Sequence, residues 1–305
     1  MLVEYNRLVL IRYIRDTLPR SNPPSLRVVM PIRFLGDRMY FDPKLLLKYG
    51  RDQRQSYLMA TPYSHLVIDN VFPEHVLTEV VKDFPLPSDA TWKRFCDPSH
   101  VKLLSQGDAQ LAPSIRHVLA QLRSTEFLTF LEILSGLEGL VADPHTGGCH
   151  QTEPGGFLDV HVDASWNDRL ALYTGINLFV YLNENWNDTY GGHLELWDRD
   201  AQRCEKRILP AFNRMVIFSS GERTYHGHPL PLACPVGMSR KSLAANFCTS
   251  RRPEQQAAFR RSAVYRSNGM KPYRLSPKTL ISMFTPPVVS ETLRRARAKA
   301  RRLSN

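Results

Sequence analysis

Hydrophobic and polar positions change period twice along the chain. From Ser64 to Asp83 they predict a strand over Leu66, Val67 and Ile68, a turn at Asp69–Asn70, and a helix with Val76, Val80 and Val81 inward. Two further helices are predicted from Pro113 to Arg123 and from Thr125 to Leu137. There Leu119, Leu122, Phe127, Phe130, Leu131 and Leu134 recur at helical spacing. After Gly139 the period shortens. Runs rich in β-branched and aromatic residues follow at Gly155–Asp163, Thr174–Asn183, Gly191–Asp198, Asn213–Ser220, Thr224–His228 and Arg240–Thr249, with turn residues between them. Short strands at such spacing predict a sandwich or barrel, and helices outside it make the class α+β.

The flanks read differently. Residues 1–60 hold an amphipathic opening (Leu2, Val3, Leu8, Leu10, Ile11, Ile14), a proline-rich turn and β-like runs at Arg27–Ile32 and Met39–Asp42. Residues 251–305 return to polar, helical character, with Ser290 as the expected N-cap of a basic terminal helix. The expected organisation is therefore an N-terminal extension at 1–60, a β-rich domain at 61–250, and a C-terminal helical extension with a basic tail at 251–305.

With 43% hydrophobic and 23% charged residues in 305, the composition excludes global disorder, collagen and coiled coil. No stretch reaches the roughly 18 apolar residues of a membrane span. Leu170–Asn183 is uncharged but short, and Glu4, Arg7, Arg12, Arg15 and Asp16 interrupt any signal-peptide core. The five cysteines are widely spaced and form no CxxC pair, so reduced thiols are expected. A soluble, cytoplasmic protein is the expectation. The net charge is +11, and the last fifteen residues carry six basic side chains against one acid. A solvated or helical basic tail is the plainer reading, and contact with nucleic acid, anionic lipid or an acidic partner is the alternative.

One segment carries chemistry. In Phe157–Asp163, His161 and Asp163 stand two residues apart on a strand and project together. An imidazole and a carboxylate so held are two-thirds of a facial metal site, and Thr224–Pro229 supplies a third ligand in His226 or His228. Two histidines and one carboxylate leave cis positions open, as in non-haem Fe(II) oxygenases. Farther on, Arg240 and Ser242 share one strand face, where a guanidinium fork beside a hydroxyl suits a carboxylate.

Over about residues 64–250, these elements resemble the Fe(II)- and 2-oxoglutarate-dependent dioxygenases, specifically the prolyl-4-hydroxylase-like branch. The strand Val180–Trp186 and the run Gly191–Trp197 support the resemblance. It implies a double-stranded β-helix (jelly-roll, cupin-like) core with flanking helices. Fe(II) would be held by His161, Asp163 and His226, chosen because it follows the aromatic Tyr225; His228 is the runner-up. 2-Oxoglutarate would place its distal carboxylate on Arg240 and Ser242. With O2 as oxidant, the products would be succinate, carbon dioxide and a hydroxylated substrate. The carboxylate at Asp163 favours hydroxylation or desaturation over halogenation.

Other residues have two readings each. His150 and Gln151 could line the pocket or cap a loop. Asn177 and Tyr181 could face the co-substrate or be satisfied core polar groups, and Trp166 could shape the pocket mouth or pack the barrel. His228, if not a ligand, is a pocket residue. Expected substrates are an amino acid, a peptide or a small metabolite, and the lysine and arginine excess leans weakly toward an acidic substrate or a macromolecular partner. A nucleic-acid demethylase of the same superfamily is disfavoured, because the position of its second arginine holds Asn246. A non-catalytic β-helix binding protein is disfavoured by the intact ligand set.

Overall fold

The computed structural model describes residues 40–89, 91–253 and 262–266, which belong to a unit spanning Met1–Asn268. A second unit, Gly269–Asn305, lies outside the described residues, as do the amphipathic opening, the run at Arg27–Ile32, the Ser290 cap and the basic tail.

The core is one strongly curled antiparallel sheet. Its first half runs β1 (His65–Asp69), β10 (Arg214–Ser219), β7 (Leu172–Tyr181), β12 (Arg240–Thr249), β4 (Leu140–Thr152). The order continues through β3 (His100–Ser105) into β5 (Phe157–Val162), β11 (His226–His228), β8 (Leu194–Trp197) and β9 (Cys204–Ile208). The short strands β2 (Trp92–Asp97), β6 (Trp166–Asn167) and β13 (Val264–Tyr265) attach to β3, β7 and β5. The expected double-stranded β-helix is present.

Alternation along the strands sorts side chains between two cores. Ile176, Leu178 and Val180 of β7, with Met215, Ile217, Leu243, Ala245 and Phe247 from its neighbours, pack under the helices. The intervening Phe179 and Tyr181 join Val216, Phe218, Leu194 and Leu196 on the concave side. Each such apolar side chain removed from water contributes about 1.5–3 kcal/mol, so register is fixed on both faces and a one-residue slip would invert both.

Four helices cover the convex face: α1 (Pro43–Leu58), α2 (Glu74–Lys82), α3 (Pro113–Leu122) and α4 (Thr125–Ser135). The last three match the predicted periodicity. The first corrects the reading of residues 1–60 as an extension with a β-like run at Met39–Asp42. Asp42 caps α1 instead, accepting from the amides of Lys44 at 2.9 Å and Leu45 at 3.1 Å, with Pro43 at the first helical position. Gly50 lets α1 lie against α4, since a Cβ there would stand 3.0 Å from the Phe130 ring.

The helical reading of 251–305 is corrected at Val264–Tyr265, which pairs antiparallel with β5 through Val264↔Val162 and Tyr265↔His161. On that side β3 covers only Phe157 and Leu158 of β5. The rest of the edge is left for another strand, and a β-branched and an aromatic residue suit that position.

Candidate active site

The concave side of the sheet gathers the chemistry. His161 on β5 pairs directly with His226 on β11, their ring centroids 4.4 Å apart. This approach depends on Gly227. A Cβ there would fall 2.8 Å from the carbonyl oxygens of both Leu158 and Asp159, so only glycine lets β11 lie so close to β5.

Asp163 follows the end of β5. Its Oδ1 is 3.4 Å from His161 Nε2 and its Oδ2 is 3.6 Å from His226 Nε2. One ligand atom from each of the three residues lies within 4.8 Å of the other two. Ligands about 2.1 Å from a first-row metal and at right angles stand about 3 Å apart, so the set is open by only a small margin. The rings are already aimed. His161 Nδ1 donates to the Asp159 carbonyl at 2.9 Å and His226 Nδ1 to the Thr224 carbonyl at 3.0 Å. A carbonyl only accepts, so each Nδ1 carries the proton and each Nε2 presents a lone pair toward Asp163.

The electrostatics suit a cation. Burial alone would raise the Asp163 pKa, but His226, His161 and the Asn177 amide, donating to Oδ2 at 2.6 Å, hold it well below the carboxylate range. Burial, with His161 adding, lowers His226 to about 4, so it is neutral at physiological pH. His228 is equally buried but lies apart from this cluster among the described residues, opposite Leu158 rather than His161. Its Nδ1 is buried without a partner.

At the other end of the concavity, Arg240 is 7% exposed. Its Nε donates to the Gly192 carbonyl at 2.6 Å, one terminal nitrogen lies 3.3 Å from the Tyr181 hydroxyl, and its Cζ sits 5.0 Å from the Tyr181 ring centroid. No carboxylate pairs with it among the described residues. Ser242, fully buried between His150 and Tyr181, has a hydroxyl with no partner. A buried guanidinium without a counter-ion beside an orphaned hydroxyl is costly unless a ligand completes it, and a distal carboxylate fits.

The remaining candidates divide. His150 shares the face of Ser242, stands edge-on to Phe179, and has a buried Nε2 without a partner. Gln151 alternates to the opposite face, pairs with Leu103 and donates to Ser239 Oγ at 2.7 Å, so the structure does not bring it to the pocket. Tyr181 touches Arg240, and Asn177 supports Asp163. Trp166 packs edge-on against Tyr173, at 4.9 Å between centroids. Asn246 donates to the Thr146 carbonyl at 3.0 Å, an exposed backbone contact.

Two pocket residues escaped sequence reasoning. Tyr265 of β13 stacks on His161 at 5.1 Å and on His100 at 5.5 Å. Lys102 stands on β3 between His100 and Leu104, whose partners on β5 and β4 are Leu158 and His150. By alternation it faces the same concavity, and its electrostatic neighbours include Asp163, Arg240, His150 and His228.

Comparison with known proteins agrees with this geometry. The family model for the 2OG-Fe(II) oxygenase superfamily matches residues 147–248. No curated protein sequence matches the chain. Among solved structures, a Pseudomonas putida prolyl-4-hydroxylase is 21% identical, with a TM-score of 0.50 over 67% of this chain and 98% of its own. A Trichoplax adhaerens prolyl hydroxylase in complex with a hypoxia inducible factor peptide fragment is 16% identical, with a TM-score of 0.51 over 67% and 91%. A Phytophthora capsici prolyl 4-hydroxylase is 19% identical, with a TM-score of 0.50 over 72% and 70%. The segment 147–248, with the His-Asp-His cluster, marks a 2OG-Fe(II) oxygenase domain, a dioxygenase that uses Fe(II), 2-oxoglutarate and O2, and the curled sheet is similar in fold to the prolyl hydroxylases.

Proposed function

We propose that this enzyme hydroxylates an unactivated C–H bond of an amino-acid, peptide or small-metabolite substrate, with O2 and 2-oxoglutarate giving the alcohol, succinate and carbon dioxide. One oxygen atom enters the substrate and the other enters succinate, so the reaction balances without a further reductant. The observation that carries the reading is the pairing of two sites on one concave face: the His161–Asp163–His226 cluster, its histidines buried and its carboxylate half-buried, and the buried Arg240 without a carboxylate partner among the described residues.

In this reading His161, Asp163 and His226 hold the iron. Arg240 and Ser242, with the Tyr181 hydroxyl beside the guanidinium, hold the distal carboxylate of 2-oxoglutarate and so fix its direction along the pocket. The iron, once bound, supplies oxygen activation. Asn177 keeps Asp163 turned toward the two histidines. Phe179, Phe218 and Tyr181 wall the concavity with apolar surface, limiting water where a reactive oxidant would otherwise be lost.

The test is anaerobic visible spectroscopy of the apo-protein given Fe(II) and then 2-oxoglutarate. A metal-to-ligand charge-transfer band is expected in wild type and in His228→Ala, and is expected to be missing in His226→Ala. A band that survives His226→Ala and disappears in His228→Ala would reverse the ligand assignment. Iron binding without any band in wild type would remove 2-oxoglutarate from Arg240 and Ser242.

A further inference from the structure

Charge in the pocket does not balance when only iron and 2-oxoglutarate are counted. Fe(II) brings two positive charges and Asp163 cancels one of them; Arg240 adds one. A 2-oxoglutarate dianion cancels what remains. Lys102 is then left over. It faces the same concavity, and no hydrogen bond or ion pair engages its ammonium among the described residues. Asp163 and Asp97 are the carboxylates that act on it electrostatically, and both are otherwise engaged, Asp163 with the two histidines and Asn177. Asp97 is half-exposed at the end of β2 and accepts from Ser99 and His100.

Two further polar groups without partners are electrostatic neighbours of this lysine. His150 Nε2 and His228 Nδ1 are both buried and unbonded, one on β4 and one on β11. Each imidazole nitrogen can turn an N–H toward an anion. Two buried, unpartnered imidazole nitrogens with a half-buried, unpaired ammonium on a neighbouring strand make an incomplete site.

We infer that Lys102, with His150 and His228, forms a second anion-binding subsite that recognises a carboxylate on the substrate, so that the enzyme acts on an acidic amino acid or a peptide bearing one. This rests on the oxygenase reading and narrows its substrate class. Lys102 is a specificity residue here and takes no part in holding iron. The excess of basic residues in the whole chain agrees in sign but does not bear on this pocket.

The experiment uses the full chain loaded anaerobically with Fe(II) and 2-oxoglutarate. Free L-aspartate and L-glutamate, and their N-acetyl amides, are titrated against L-asparagine and L-glutamine in the same forms. Binding is read from the shift of the charge-transfer band, which needs no turnover. In wild type at least one acidic probe should bind roughly tenfold or more tightly than its amide, the discrimination expected of one charge-assisted contact. Lys102→Met should erase that preference while the affinity for 2-oxoglutarate changes less than about threefold, and Lys102→Arg should retain most of the preference. Equal binding of every acid and amide by wild type would overturn the inference. So would a Lys102→Met protein that keeps the preference but binds 2-oxoglutarate tenfold more weakly, because the lysine would then serve the co-substrate. Absence of the band in wild type before any probe is added would instead remove the oxygenase reading itself.

Discussion

The two ends of the pocket are built on opposite principles. At the iron end every polar atom is already placed by the protein: both Nδ1 atoms donate to carbonyls, and Asp163 accepts from Asn177. At the far end Ser242 Oγ, His150 Nε2 and His228 Nδ1 are buried without partners, and Arg240 lacks a counter-ion among the described residues. A metal ion brings no hydrogen bonds of its own, so its ligands must be oriented beforehand. A carboxylate brings up to four acceptor positions, so donors can wait unpaired for it. The first end has its ligand side chains oriented by hydrogen bonds, whereas the second leaves donors unpaired until a ligand arrives.

Removing the carboxylate ligand gives the largest effect and tests the first end. Asp163→Ala is expected to abolish Fe(II) binding at micromolar metal and lower turnover by more than the roughly 10–100-fold that loss of an outer partner costs. Asn177→Ala, which removes only that outer partner, should fall within the 10–100-fold range. Isothermal titration with Fe(II) under anaerobic conditions measures both. Equal losses in the two variants would mean that Asp163 acts by orienting rather than by coordinating.

At the far end, Arg240→Met should weaken 2-oxoglutarate by roughly 10²–10³-fold, the consequence of leaving a desolvated carboxylate unpaired. Iron affinity should stay within a few-fold of wild type. A titration of 2-oxoglutarate into the Fe(II) protein reads the first quantity, and the metal titration reads the second. If both fall together, the two ends are one cooperative unit and the comparison fails.

How far each end could be read from sequence follows the same division. His161, His226, Arg240 and Ser242 lie on strands whose two-residue period is visible locally, Asp163 follows directly on one, and each motif occupies a few consecutive positions. Lys102 lies on β3 in a stretch where His100 to Ser105 shows no clean alternation, and a lysine there reads as solvated surface. Its burial comes from pairing with β4 and β5, about fifty residues away. Tyr265 is a stronger case, reaching His161 from more than one hundred residues downstream through a two-residue strand. Helix α1 was missed for a different reason. Its cap and first-turn proline were present, but its polar face outweighed its few buried residues, Leu46, Tyr49, Gly50 and Tyr57. The fold was legible wherever one face was continuously apolar. Contacts made only by non-local pairing were not.

The unmet demand at the far end should also show in stability against pH. Burial pushes the Lys102 ammonium from 10.5 down to about 8, Arg240 adding to the effect and Asp163 and Asp97 opposing it. The unfolded chain holds that proton up to its ordinary value, so between pH 8 and 10.5 the unfolded state binds more protons than the native one. Wild-type stability should therefore rise across that window relative to Lys102→Met, by up to about 3 kcal/mol from this group. Urea midpoints of the two apo-proteins at pH 7.5 and pH 10 give the difference directly. Parallel pH profiles would mean that the lysine is solvated rather than held in the pocket.

The smallest effect separates the two ends most cleanly, because it predicts opposite signs. Ser242→Ala removes a fully buried hydroxyl that has no partner, so the apo-protein should gain about 1 kcal/mol, the lower part of what an unsatisfied group costs. The same variant should bind 2-oxoglutarate several-fold more weakly, because the hydroxyl's partner arrives with the ligand. Asn177→Ala should do the reverse to the fold, losing about 1.5–3 kcal/mol of apo stability by deleting a satisfied hydrogen bond to a charged acceptor. Thermal denaturation of both variants with and without 2-oxoglutarate and Fe(II) measures the signs together. A destabilised apo Ser242→Ala would show that the hydroxyl is already satisfied in the empty protein, and the far end would then be as preorganised as the near one.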